Sequence, residues 1–132
     1  MTNTPPPTDS ELAILQVLWS KHPETVRYIN DTLNAQRNPT DKEIGYTTTL
    51  KMMQLMLEKG LLKRTIVERN HLYAPSVSRE VTQSQVIQDM AIRAFGGSAL
   101  SLAMQALGNA DASPEDIAKV RQWIDSLENG TL

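Results

Sequence analysis

The stretch from Gly45 to Gly60, GYTTTLKMMQLMLEKG, and the change of period that follows it constrain this fold more than anything else in the chain. Inside it apolar side chains recur at helical spacing: Tyr46, Leu50, Met53 and Leu57 share one side, as a core-facing stripe requires. Thr48, Lys51, Met52, Leu55 and Lys59 lie roughly opposite, with Thr47 at the margin. That outer face is short, hydroxylated and only partly apolar. Three successive β-branched threonines cost helix propensity, so the face suits presentation to a partner, although an ordinary amphipathic helix accounts for the same pattern. Lys59-Gly60 stops the helix, with Gly60 expected in the left-handed conformation. Beyond it the period drops to two. Leu62 to Val67 and His71 to Ala74 read as short strands around a polar turn, Glu68-Arg69-Asn70, in which Asn70 is expected to take the positive φ. A lone hairpin is marginal in water, so this one must lean on helices.

Two helices are expected upstream. Thr8 reads as an N-cap with Glu11 completing a capping box, and Leu12, Leu15, Leu18 and Trp19 follow at helical spacing to an end near Lys21, before Pro23. Thr25 is the next cap, with Val26, Ile29 and Leu33 as the stripe of a second helix ending near Gln36. His22-Pro23-Glu24 is expected to be a bare connection, and Asn38-Pro39-Thr40-Asp41 a turn. Residues 1–7, with three successive prolines, read as a flexible arm. Three helices followed by a hairpin is the order of a winged helix-turn-helix, whose third helix enters the major groove.

After Pro75 the pattern leaves this domain. From Glu80 a helical region carries Val86, Ile87, Met90, Ala91, Ala94 and Phe95 at three- and four-residue intervals, broken by Gly96-Gly97. Ser98 caps a short helix, Ala99 to Leu107, which Gly108 is expected to end. Ser113, Pro114, Glu115 and Asp116 start a last helix whose stripe is Ile117, Val120, Ile124 and Leu127, with Trp123 alongside. About 50 residues in three short helices cannot bury such faces alone. A homodimer that intertwines here buries them, with Val86, Ile87, Met90, Phe95, Leu100, Leu102, Met104, Leu107, Ile117, Val120 and Ile124 as its expected contacts; the alternative is that these helices pack back onto the N-terminal domain. The expected organisation is an arm (1–7), a winged-helix domain (8–76) and a helical dimerisation domain (77–132), mainly α overall.

Composition excludes several classes. With 40% hydrophobic and 21% charged residues the chain suits a water-soluble globular protein. No apolar run approaches the roughly 20 residues of a membrane span, and MTNTPPPTDS has neither a basic start nor an apolar core, so a cytoplasmic protein without membrane insertion is expected. Without cysteine there is no disulfide or thiolate metal site. His22 and His71 stand far apart with no carboxylates at ligand spacing, so neither metal nor cofactor is expected. No Gly-rich phosphate loop, Ser/His/Asp arrangement or paired carboxylate is recognisable, and the chain does not read as an enzyme. The formal net charge of −2 is uneven. Residues 42–71 hold six basic and three acidic side chains, whereas the segments on either side are net acidic. That positive third is a phosphate footprint candidate.

Five segments, TDSELAILQVLW (8–19), ETVRYINDTL (24–33), GYTTTLKMMQLMLEKGLLKR (45–64), HLYAPSVSRE (71–80) and AFGGSALSLAMQAL (94–107), resemble in order and spacing the BlaI/MecI penicillinase-repressor family of bacterial transcription regulators. The resemblance covers about residues 8–128. It implies a winged-helix DNA-binding domain, a helical dimerisation domain, and repression by a homodimer on dyad-symmetric operator DNA. Carried over, Tyr46, Thr47, Thr48 and Lys51 fall on the recognition helix and Arg69 at the tip of the wing. Threonine hydroxyls reach phosphates or base edges, and their methyls suit thymine. Lys51 is read as a base reader or a phosphate contact, and Lys42, Lys63 and Arg64 as phosphate-steering cations. Arg69 suits a narrow A·T minor groove. Tyr46 is placed on the buried stripe, packing while its hydroxyl reaches a phosphate. A winged-helix protein-interaction module using Met52 and Leu55 is the alternative.

Three departures from the family pattern stand out. The β-lactam-responsive members are cut at an Asn-Phe bond where this chain has Met104-Gln105-Ala106-Leu107, and copper-responsive relatives resembling CopY use a cysteine cluster absent here. Asn70 stands where many relatives have glycine in the wing. The inducing signal is therefore unassigned, with a membrane metallopeptidase as a possible signalling partner.

Overall fold

The computed structural model describes residues 5–130. The elements run α1 (Asp9–Ser20), α2 (Val26–Ala35), α3 (Tyr46–Glu58), β1 (Leu62–Val67), β2 (Asn70–Pro75), α4 (Arg79–Ala94), α5 (Ala99–Asn109) and α6 (Pro114–Asn129). The chain divides into two compact units, Met1–Ile87 and Gln88–Leu132.

In the first unit α1 starts on the expected capping box. Thr8 Oγ1 accepts from the Glu11 amide at 3.2 Å, and the Glu11 carboxylate accepts from the Thr8 amide at 2.9 Å, so two amides that lack helical partners are satisfied. Thr25 caps α2 through the Tyr28 amide at 3.1 Å. Ile14, Leu15 and Leu18 of α1, Val26, Ile29 and Leu33 of α2, and Met53 and Met56 of α3 form one core with Leu62 and Tyr73 of the hairpin. Each fully buried side chain of this size contributes about 1.5–3 kcal/mol, and Leu15→Ala would cost about 2–5 kcal/mol. This is a winged helix: three helices closed by an antiparallel hairpin.

The helix α3 ends in a Schellman motif. The Leu61 amide bonds Met56 O at 2.9 Å, the Gly60 amide bonds Leu57 O at 3.2 Å, and Gly60 takes φ 83°, a conformation glycine adopts without a Cβ clash. Its buried residues are Thr49, Met53 and Met56. The buried stripe is thus rotated by about 60°, at 100° per residue, from one centred on Tyr46, Leu50, Met53 and Leu57. The rotation is possible because Asn30 hydrogen-bonds Thr49 Oγ1 at 2.9 Å, which lets a polar side chain enter the core without an unsatisfied hydroxyl.

Two further expectations are corrected in the hairpin. β1 and β2 pair from Leu62↔Pro75 to Val67↔Asn70, which leaves only Glu68 and Arg69 in the loop. Both have positive φ, 50° and 72°, as a two-residue loop matched to strand twist demands. Asn70 therefore belongs to β2 and does not carry the positive φ. The His22–Glu24 connection is more than a linker. Glu24 pairs with Tyr73 through amide–carbonyl bonds of 2.9 and 2.8 Å, so the hairpin gains a third strand contact beside α2. At the exit, the Trp19 indole donates to Val77 O at 3.0 Å, and Arg79 lies over the same ring.

Of α4, only Thr82 and Ala91 are buried. Gly96 and Gly97, at φ 58° and 90°, end it. Ser98 caps α5, which passes through Gly108 to Asn109 instead of stopping at Leu107. A helical glycine costs only about 1 kcal/mol against alanine, so Gly108 does not terminate by itself. Ser113 and Asp116 form a capping box for α6, with Pro114 in the first turn and Gly130 left-handed at its end. Neither α5 nor α6 has a buried residue. Among the described residues no helix is long and apolar enough to cross a membrane.

Candidate nucleic-acid interface

The position of α3 is set by two asparagines of α2. Asn34 grips the backbone of Ile44 twice, donating from Nδ2 to its carbonyl at 3.0 Å and accepting from its amide at 2.8 Å. Asn30 Nδ2 donates to the same carbonyl at 3.0 Å and to Thr49 at 2.9 Å. The residue before the Gly45 N-cap is thereby fixed against α2. At its far end α3 is tied to α1, where Lys59 Nζ reaches Glu11 Oε2 at 2.7 Å. Burial, the largest single influence on this carboxyl, would raise its pKa. The Lys59 ammonium together with the Thr8 amide and hydroxyl outweighs that and holds Glu11 below the usual carboxylate range. Lys59, expected on the outer face, is a structural anchor.

With α3 pinned at both ends, Thr47 and Lys51 stand four residues apart on its exposed side, opposite the buried Thr49, Met53 and Met56. Gly45 provides no side-chain cap, and the first amide bonded within the helix is that of Thr49, to Gly45 O. The preceding amides and the positive end of the helix dipole lie beside the same face. Thr48 and Met52 are turned differently: they line a mainly apolar cleft with Ala13, Ile14 and Leu33 of α1 and α2. Leu55 is exposed.

Tyr46 is not on the buried stripe. It is 39% exposed, and the Arg27 guanidinium stacks on its ring 4.6 Å from the centroid. Tyr46 and Arg27 open onto a cleft of about 450 Å³ between α2, α3 and the hairpin, which Leu50, Gln54, Arg64, Arg69, Asn70 and His71 also line. No carboxylate lines it. Strand alternation explains why Arg64 is there and Lys63 is not: Arg64 shares a hairpin face with Leu62 and sits opposite the buried Tyr73, so its neighbour Lys63 points to the other face. Arg69 projects from the positive-φ turn at the hairpin end of the cleft. Lys42 lies exposed in the loop before α3, outside the cleft.

The structure therefore brings together Tyr46, Arg64 and Arg69, sets Thr47 and Lys51 on the adjoining outer face of α3, and leaves Thr48, Lys42 and Lys63 apart. Sequence reasoning missed Arg27, Gln54 and His71. A signal for Arg27 existed, since it follows directly on the capped start of the helix that precedes α3. Of the expected tail contacts, Ile87, Met90, Leu100, Met104, Leu107, Ile117 and Ile124 are exposed, and Val86, Phe95, Leu102 and Val120 are half-buried.

The profile of the family described as Penicillinase repressor matches residues 7–126. Proteins named Transcriptional regulator BlaI from two strains of Mycobacterium tuberculosis are 34% identical to the chain over 73 residues, 54% of this chain and 49% of theirs. The chain thus spans about half the length of the curated relatives it matches. Among solved structures, one of a Lactococcus lactis ZitR mutant aligns over 100% of this chain and 80% of that one, with 18% identity and a TM-score of 0.46.

Proposed function

We propose that this chain, which belongs to the penicillinase repressor family, is a sequence-specific DNA-binding transcriptional repressor that occupies dyad-symmetric operators as a cytoplasmic homodimer, with no catalytic step. The observation that carries the reading is the surface of the winged helix. An uncharged-to-basic helix face, Thr47 and Lys51, adjoins a carboxylate-free cleft lined by Arg27, Arg64 and Arg69. In the proposal α3 enters the major groove, where Thr47 and Lys51 meet base edges and phosphates. Tyr46 and Thr48 flank them at the groove edge. Arg69 enters the minor groove, and Lys42, Lys63 and Arg64 add phosphate attraction. Left-handed backbone at Glu68 and Arg69 costs about 1–2 kcal/mol per residue, strain that is understandable where it aims a functional guanidinium.

Residues 8–76 are assigned to DNA binding and 77–132 to dimerisation. The tail supports this division: Leu100 is 70% and Met104 65% exposed, and α5 and α6 bury nothing of their own. Faces of that kind call for a second chain. Two half-sites read together multiply the discrimination of one short helix. A membrane metallopeptidase remains the proposed source of an inducing signal, which a gene for one beside this chain's own would support.

Gel-shift titration on the chain's own upstream region tests the reading. Lys51→Ala should reduce the preference for operator over random duplex by about 5- to 150-fold per half-site, the equivalent of about 1–3 kcal/mol. Equal wild-type affinity for all sequences would refute it. Sedimentation should give a dimer, and a monomer at micromolar concentration would refute the assignment of the tail.

A further inference from the structure

We infer that the cleft between α3 and the hairpin is the seat of a single phosphodiester strand, and that Arg27 is a phosphate ligand within it. The inference rests on the DNA-binding reading and adds to it a site and a residue on α2.

The cleft has the chemistry of an anion site. Its three arginines come from three separate places, Arg27 from the first turn of α2, Arg64 from β1 and Arg69 from the hairpin turn, and they converge on one space with His71. Among the described residues none of the three is in an ion pair. Glu24 and Glu68 are near in sequence, but neither lines the cleft. Three uncompensated guanidinium groups in one concavity repel one another, and an anion relieves that repulsion.

The ligand class follows from groove geometry. When α3 lies in the major groove and Arg69 reaches the adjacent minor groove, one sugar-phosphate strand separates the two elements. The space between α3 and the hairpin is this cleft. A guanidinium there meets phosphate oxygens with its planar fork, and the cation–π contact with the Tyr46 ring holds the group at the cleft. Tyr46 is accordingly a positioning residue for Arg27. Asn70, Gln54 and Thr25, which also line the space, provide neutral donors to the same strand.

Fluorescence anisotropy with the full-length protein, a duplex of its own upstream region and a scrambled duplex, at 50–200 mM KCl, tests this. A dimer losing one phosphate contact per chain should lose about 1.8 from the slope of log K against log salt, so Arg27→Ala should be about 12-fold less sensitive to that fourfold rise in salt. The loss of affinity should be equal on both duplexes, leaving operator preference unchanged. Arg27→Lys should keep most of the slope, and Tyr46→Ala should lower affinity less in the Arg27→Ala background than in wild type. An unchanged slope in Arg27→Ala, or a loss confined to the operator, would overturn the inference. Absence of salt-dependent binding by the wild type would instead overturn the DNA-binding reading beneath it.

Discussion

Replacing Asn30 by leucine and Thr49 by valine, singly and together, probes the contact that rotates α3 into its observed register. Asn30 is 5% exposed and Thr49 2%. The Asn30 amide donates to both Ile44 O and Thr49 Oγ1, and Ile44 O keeps a second donor in Asn34. Asn30→Leu removes two hydrogen bonds, about 1 kcal/mol each, and leaves the Thr49 hydroxyl without its donor, for a loss of about 2–3 kcal/mol. Thr49→Val removes one bond and leaves the Asn30 amide half-satisfied, for about 1–2 kcal/mol. The double variant removes the shared bond once and places two apolar groups of similar shape together. Its loss should fall short of the sum by about 1 kcal/mol or more. Urea titration followed by circular dichroism, at one fixed chain concentration because dimerisation adds to stability, gives all three values. Strict additivity would refute the claim that the Asn30–Thr49 bond is what admits a threonine to the core.

The Glu11 carboxylate supplies a pH prediction. Its pKa is depressed in the folded chain, so its contribution is full above the ordinary glutamate value of about 4.3 and is lost as pH falls through the lower folded value. Glu11→Gln should thus be less stable than wild type at pH 7, with the gap closing in melts below about pH 4; a gap independent of pH would contradict the ion pair with Lys59. At the hairpin, Glu68→Asn should stabilise by up to about 1 kcal/mol, because asparagine tolerates positive φ better than glutamate. Thermal melts that show destabilisation would count against the turn described.

Much of the fold was legible because its punctuation is local. Thr8 with Glu11, Thr25, Ser98 and Ser113 cap their helices through contacts three residues away, and Gly60 ends α3 through its own φ. The main departures depend on pairings that side-chain periodicity does not report. The face of α3 that enters the core is decided by Asn30, nineteen residues upstream, which helical periodicity cannot register. The turn position follows from the Val67↔Asn70 pairing, and Asn70 looked like the φ > 0 residue only while the strand length was unknown. Glu24 joined the hairpin through backbone groups that no side-chain pattern reports. The basic cleft was legible in part. Arg64 and Arg69 lay in the positively charged third of the chain, but Arg27 lay in an acidic segment and acquires its meaning only when α2 is set beside α3 and the hairpin.

Footprinting of the full-length protein on its own upstream DNA tests the central claim most directly. A homodimer presenting two copies of α3 should protect two inverted half-sites with centres separated by a multiple of about 10 base pairs, and Lys51→Ala should abolish that protection at concentrations where wild type is saturated. Uniform protection without a dyad, or a symmetric footprint that Lys51→Ala leaves intact, would contradict the account.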